Sequence, residues 1–205
     1  MPALTDLSHT LTASYSLLRA WELGKSDDAV KMYFRFDRPS SEAMENGKNY
    51  HAHWATQLLK TKTCDLLAGR VLTHPVVEKR YEASRFPWLS LAGVIDCHDE
   101  DILFEWKTGK TTASTYIDTH QIGLYGYLLK MAGVPIRRAE VWRMDTTKGE
   151  TDGIEIDVSF CHMTPDRMGK AVEWAEGLAY EIHEFFSKQG YYDKYGARRK
   201  QKEQQ

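Results

Sequence analysis

Apolar positions change their spacing along the chain, and each change marks an element. Leu11, Tyr15 and Leu18 recur at helical intervals, with Leu17 and Trp21 at the edges of that face and Gly24 as a stop. A longer helix is predicted over residues 42–60, weakened at Gly47. On it Met44, His51, Ala55 and Leu58 form one stripe, and Tyr50, His53 and Gln57 form another. The period then shortens. Residues 76–81 read as a strand, and residues 89–97 and 102–107 as two strands around the turn His98-Asp99-Glu100-Asp101. A helix is predicted over 115–132, closed by Gly133 and Pro135. Strands follow over 139–144 and 154–160. Thr164-Pro165-Asp166 then opens a last helix that runs to Lys188 and ends at Gly190. Helices, strands, helix, strands, helix is the order of an α/β fold with a mixed central sheet flanked by helices.

Composition adds bounds to that outline. The 205 residues, 42% hydrophobic, suit one domain with its own core, expected over residues 1–193. Residues 194–205 are mostly charged or amide-bearing and read as a flexible basic tail. Its Arg198, Arg199, Lys200 and Lys202 are taken as solvated, with phosphate contact as the alternative. No apolar run approaches the roughly 18 residues of a membrane helix, and Arg19 and Glu22 interrupt the nearest stretch. Residues 1–6 lack the basic start and apolar centre of a signal peptide, so a cytoplasmic protein without a membrane partner is expected. Cys64, Cys97 and Cys161 contain no paired spacing, which argues against a disulfide framework, a zinc site or an iron–sulfur cluster. With 27 basic and 29 acidic side chains the net charge is −2, so no global field draws the chain to nucleic acid.

The chemistry concentrates in Gly93-Val94-Ile95-Asp96 and Ile102-Leu103-Phe104-Glu105-Trp106-Lys107, where charges interrupt apolar strands. Glu105 and Lys107 are two apart and share a strand face. Asp96 joins them if Cys97 pairs with Ile102, or in any register of the same parity. A one-residue slip would send it to the other face. Two converging carboxylates suit a hard cation such as magnesium or manganese. A lysine beside them could orient a water or steady charge developing on a phosphate. The alternative is a Lys107–Glu105 salt bridge with Asp96 capping a turn. Gly109-Lys110-Thr111 invites a phosphate-loop reading, but Phe104 stands where that motif needs its first glycine. Lys110 is instead expected to face a DNA phosphate, or solvent.

Asp96, Glu105-Trp106-Lys107 and the following Gln121-Ile122-Gly123-Leu124-Tyr125 together resemble the PD-(D/E)XK nuclease superfamily, in particular its RecB-like branch with a Q-x-x-x-Y signature. Upstream, Gly47-Lys48-Asn49-Tyr50-His51 is similar to the glycine-then-histidine helix of that branch, and the match selects His51 over His53. The resemblance spans Gly47 to Tyr125. It implies a restriction-endonuclease-like fold and a divalent-metal-dependent DNA nuclease, an exonuclease in DNA repair, recombination or phage DNA processing. Asp96, Glu105 and Lys107 are the implied catalytic residues. His51, Asp96 and Glu105 would hold Mg2+ or Mn2+, and Gln121, Tyr125 and Lys110 would meet the DNA. Some relatives bear cysteines for an iron–sulfur cluster; this chain lacks that pattern and none is expected. Glu78 is read as a solvent-facing charge, with a place among the site carboxylates as the alternative. A catalytically inactive, nucleic-acid-binding protein of the same fold is the competing reading, against which the complete Asp96, Glu105 and Lys107 set argues.

Overall fold

A computed structural model of the protein describes residues 7–37, 40–146 and 155–203, the side chains at 198 and 200–203 excepted. Its six strands form one mixed sheet flanked by helices, in the order β1-β3-β4-β5-β6 with β2 also paired to β3. The strands are β1 (Leu11–Ser14), β2 (Val76–Phe86), β3 (Leu89–Asp99), β4 (Ile102–Thr108), β5 (Arg138–Met144) and β6 (Ile156–His162). The β1–β3 and β4–β5 pairs are parallel, whereas β3–β4 and β5–β6 are antiparallel. This is the α/β sandwich of helices and sheet that the hydrophobic pattern predicts. Among the described residues no helix is long and apolar enough to cross a membrane.

Contacts divide the chain into two compact units. Among the described residues, one comprises 7–37, 82–93 and 172–203, and the other 40–81, 94–146 and 155–171. In the first, Leu11–Ser14 forms a strand where a helix is expected. It pairs with Leu89–Ala92, burying Leu11 and Ala13 in alternation. Ser14 then caps α1 (Tyr15–Glu22) by accepting from the Leu17 amide at 3.4 Å. A further helix that the pattern does not predict, α2 (Ser26–Tyr33), carries Tyr33 onto Phe186 at 5.2 Å between ring centroids. The segment expected to be a tail is largely helical, as α7 (Tyr191–Glu203). Its aromatic residues supply the reason: Tyr195 packs on Phe34 and Phe36, and the Tyr192 hydroxyl meets Nδ1 of the fully buried His183 at 2.8 Å.

The second unit positions the chemistry. Helix α3 (Glu42–Thr61) starts at Ser41, whose hydroxyl accepts from the Met44 amide, and packs Trp54, Ala55 and Leu58 against Cys97, Phe104 and Trp106. Trp54, Leu58 and Trp106 are at most 1% exposed, so this contact is a main hydrophobic anchor of the unit. The β3–β4 turn is two residues, Glu100 and Asp101, rather than four, and β3 is correspondingly two residues longer than expected. Asp99 stays in the strand because its carboxylate accepts from the Thr73 and His74 amides at 2.8 and 2.6 Å.

The helix predicted over 115–132 is two helices, α4 (Ala113–Ile117) and α5 (His120–Met131). The break falls at Thr119, whose hydroxyl turns back to the Tyr116 carbonyl at 2.7 Å. Helix α5 is buried on most of its circumference, from Gln121 to Gly126 and again at Leu128 and Leu129. Gly123 permits this: a Cβ there would lie 2.7 Å from both the Ala171 Cβ and the Arg167 carbonyl on α6 (Pro165–Lys188). The predicted strand start at 154 lies outside the described residues. The three cysteines are unpaired, with Cys64 and Cys97 buried and Cys161 half-buried.

Candidate active site

The observed β3–β4 register pairs Cys97 with Phe104 and Leu103 with His98. It has the parity that places Asp96 with Glu105 and Lys107, two residues displaced from the Cys97–Ile102 pairing. Asp96 is fixed across the hairpin, where its Oδ2 accepts from the Trp106 amide at 2.7 Å. Helix α3 delivers His51, whose Nδ1 stands 3.4 Å from Asp96 Oδ1 and 3.9 Å from Glu78 Oε1. One ligand atom from each of His51, Glu78 and Asp96 can be chosen so that all lie within 4.8 Å of one another. Asp96 Oδ1, His51 and Glu78 thus form a cluster with the geometry of a metal-binding group.

Glu105 sits beside that cluster in a different environment. Its Oε1 accepts from Lys107 Nζ at 2.6 Å and from Gln121 Nε2 at 2.7 Å. Its Oε2 is buried and has no hydrogen-bond donor among the described residues. A carboxylate oxygen orphaned in this way is costly unless something compensates it, and a cation is a suitable partner. The donor set of one imidazole and three carboxylates suits a divalent cation.

Electrostatics in the cluster follow from burial and mutual proximity. Burial, reinforced by the Asp96 charge, pushes the Glu105 carboxyl up to about 7. Burial also raises Glu78, again with Asp96 adding to it. For His51 burial acts downward, but the hydrogen bond and charge of Asp96, with Glu105 and Glu78 behind them, outweigh it and raise the imidazole. Lys107 behaves likewise: burial opposes its charge, and Glu105 and Asp96 restore it, so the ammonium persists above its ordinary range. Carboxylates raised and cations raised together describe an excess of negative charge concentrated at one point.

The structure brings His51, Asp96, Glu105, Lys107, Gln121 and Tyr125 together. Gln121 is only 8% exposed; it accepts from Lys107 Nζ at 3.1 Å and donates to the Tyr125 hydroxyl at 3.1 Å. Its amide is therefore engaged with Glu105, Lys107 and Tyr125. Lys110 is exposed on the loop after β4, apart from this network. His53 points elsewhere, to Asp65 at 3.3 Å.

Two residues enter the site beyond the six. Glu78 is 40% exposed at its side chain and belongs to the cluster, so its reading as a purely solvent-facing charge is incomplete. Its backbone is left-handed, with φ of +49°, which is strained for a residue with a Cβ. An acidic residue directly after Val76-Val77 in a strand was the available signal. Tyr116, on α4, presents its ring to the Lys107 ammonium at 5.3 Å from the centroid, and nothing in its sequence context marks it.

Comparisons with known proteins place the fold. The chain matches an exonuclease candidate from Eubacterium rectale with a TM-score of 0.59 at 10% identity, covering 87% of this chain and 82% of that one. A phage-related exonuclease from Haemophilus somnus 129PT matches with a TM-score of 0.52 at 11% identity, covering 88% and 97%. An alkaline exonuclease from Laribacter hongkongensis matches with a TM-score of 0.50 at 11% identity, covering 87% and 93%. No family model and no curated protein matches the sequence. The chain therefore has the mixed α/β fold seen in these exonuclease structures.

Proposed function

We propose that this protein is a divalent-metal-dependent deoxyribonuclease of the RecB-like, Q-x-x-x-Y type, acting as an exonuclease in DNA repair, recombination or phage DNA processing. The observation that carries the reading is the convergence of His51, Glu78 and Asp96 within ligand distance of one another, beside a buried Glu105 oxygen that has no donor among the described residues. His51, Asp96 and Glu105 would hold the ion, with Glu78 as a further carboxylate of the same cluster. A bound magnesium or manganese ion would polarise a phosphodiester and activate water for attack. The protein supplies the rest. The Trp106 amide fixes Asp96, leaving its Oδ1 toward His51. Lys107 keeps its proton and places positive charge where a phosphate gains negative charge, or orients the attacking water. Gln121 and Tyr125 steady Glu105 and Lys107, and Lys110 would meet a backbone phosphate at the exposed edge.

The test is cleavage of end-labelled single- and double-stranded DNA with Mg2+, Mn2+ or a chelator. Metal-dependent release of mononucleotides or short products from an end supports the proposal. Intact substrates with every metal would leave a binding protein of nuclease fold.

A further inference from the structure

His51 and Glu78 of the metal-ligand cluster line a cleft of about 830 Å³ together with Lys107 and Thr108. Helix α3 contributes residues 43 and 44, 47 and 48, and 51 and 52, a four-residue recurrence that turns one helical face toward the cleft. At the reacting end stand His51, Glu78 and Lys107. One helical turn beyond Gly47, which lies against Thr108, the wall is Ala43 and Met44, with Met44 half-exposed to solvent. Lys48 is the one cation that α3 places along it, and its ammonium is held by Glu45 at 2.8 Å. A groove that tracked several phosphates would offer a series of cations. This one offers, at Ala43 and Met44, an uncharged wall two helical turns, roughly 10 Å, from His51.

We infer that this wall is a nucleobase subsite: the base of the nucleotide adjoining the scissile phosphate lies against Met44 and Ala43. The inference rests on the nuclease reading above and deepens it. A polarizable thioether against an aromatic base is a favourable, sequence-tolerant contact, and covering a half-exposed Met gains apolar burial. A base held this way has left the duplex stack, so the strand in the cleft is unpaired at that nucleotide.

The test walks a single abasic site along a single-stranded oligonucleotide and measures cleavage with Mn2+ at each position. Expected is one position, adjoining the cut phosphate, at which the missing base raises KM about tenfold with kcat within about twofold. Met44→Ala should raise KM equally on the intact strand and add nothing on that abasic strand. Equal handling of every abasic strand, or an equal loss by Met44→Ala on intact and abasic strands, overturns the subsite. The same walk is read as Kd in Lys107→Ala protein, where no cleavage is needed. If the wild-type protein cuts no strand, the nuclease reading fails, and the Kd walk decides the subsite by itself: one position sensitive to both base loss and Met44→Ala supports it, and none refutes it.

Discussion

Gln121 on α5 donates from Nε2 to Oε1 of Glu105 on β4 at 2.7 Å, so a buried helix side chain fixes the orientation of a strand carboxylate. The same oxygen accepts from Lys107, and Gln121 in turn accepts from Lys107 through Oε1. These three side chains close a small ring of hydrogen bonds. Gly123, two residues further along α5, secures the ring by letting that helix seat against α6. Gln121 thus acts through its neighbours.

Gln121→Ala should accordingly lower kcat on DNA by roughly 10- to 100-fold while moving KM little, the range found when partners of ligating groups are removed. Steady-state cleavage measures the split. A raised KM with unchanged kcat would show that Gln121 contacts substrate directly.

Asp96→Ala and Lys107→Ala are each expected to abolish cleavage with the far-UV circular dichroism unchanged. Asp96 provides the oxygen nearest His51, and Lys107 is the ammonium beside Glu105. Near-normal turnover in either variant would remove that residue from the reaction.

Cation affinity should rise with pH. Glu105 releases its proton at about 7 in the folded, metal-free chain, against an ordinary value of 4.5. Proton and cation compete for it, so calorimetric affinity for Mn2+ is expected to strengthen between about pH 6 and 8 and to release protons. Stability moves the other way. A carboxyl raised on folding stabilises the protein fully below its unfolded value near 4.5 and loses that contribution as pH climbs through 7. Chemical denaturation without metal should show stability falling across that window, and Glu105→Gln should flatten the fall.

Glu78→Gly separates backbone strain from ligand chemistry. Glycine adopts a φ of +49° without a Cβ penalty, so metal-free stability should match or exceed that of the wild type. Removing the carboxylate should weaken Mn2+ binding about tenfold. If stability falls and binding is unchanged, Glu78 has a structural role instead.

Trp106→Ala should destabilise the chain by roughly 3–5 kcal/mol, as measured by urea denaturation, because the indole is fully buried against Trp54.

The hairpin that carries Asp96, Glu105 and Lys107 was legible because strand side chains alternate strictly. Any register of the right parity gives the same face, and the two-residue displacement of the turn left the site unchanged. The long α3 was legible from its helical period, which put Ala55 and Leu58 on the inward stripe; Trp54, buried beside them, lay outside that stripe, and Met44 within it is half-exposed. Leu11–Ser14 was not, since four residues ahead of a helix share its spacing and only pairing with Leu89–Ala92 makes them a strand. The separation of α4 from α5 depends on one hydroxyl turning back at Thr119. Helix α7 is polar in composition, and its order comes from tyrosines meeting distant aromatic rings. Glu78 was legible only as an alternative site carboxylate, because its left-handed backbone, φ of +49°, breaks the strand alternation from which its direction would be read.

His51 lies 5.7 Å from the Trp54 ring and 5.8 Å from the Trp106 ring, edge to face with the latter. Those indoles belong to the hydrophobic anchor, yet they touch the one imidazole of the cluster. Their emission is sensitive to the charge on an adjacent imidazole. The protein therefore contains its own optical gauge, through which protonation or ligation of His51 can be followed by intrinsic fluorescence without any added dye.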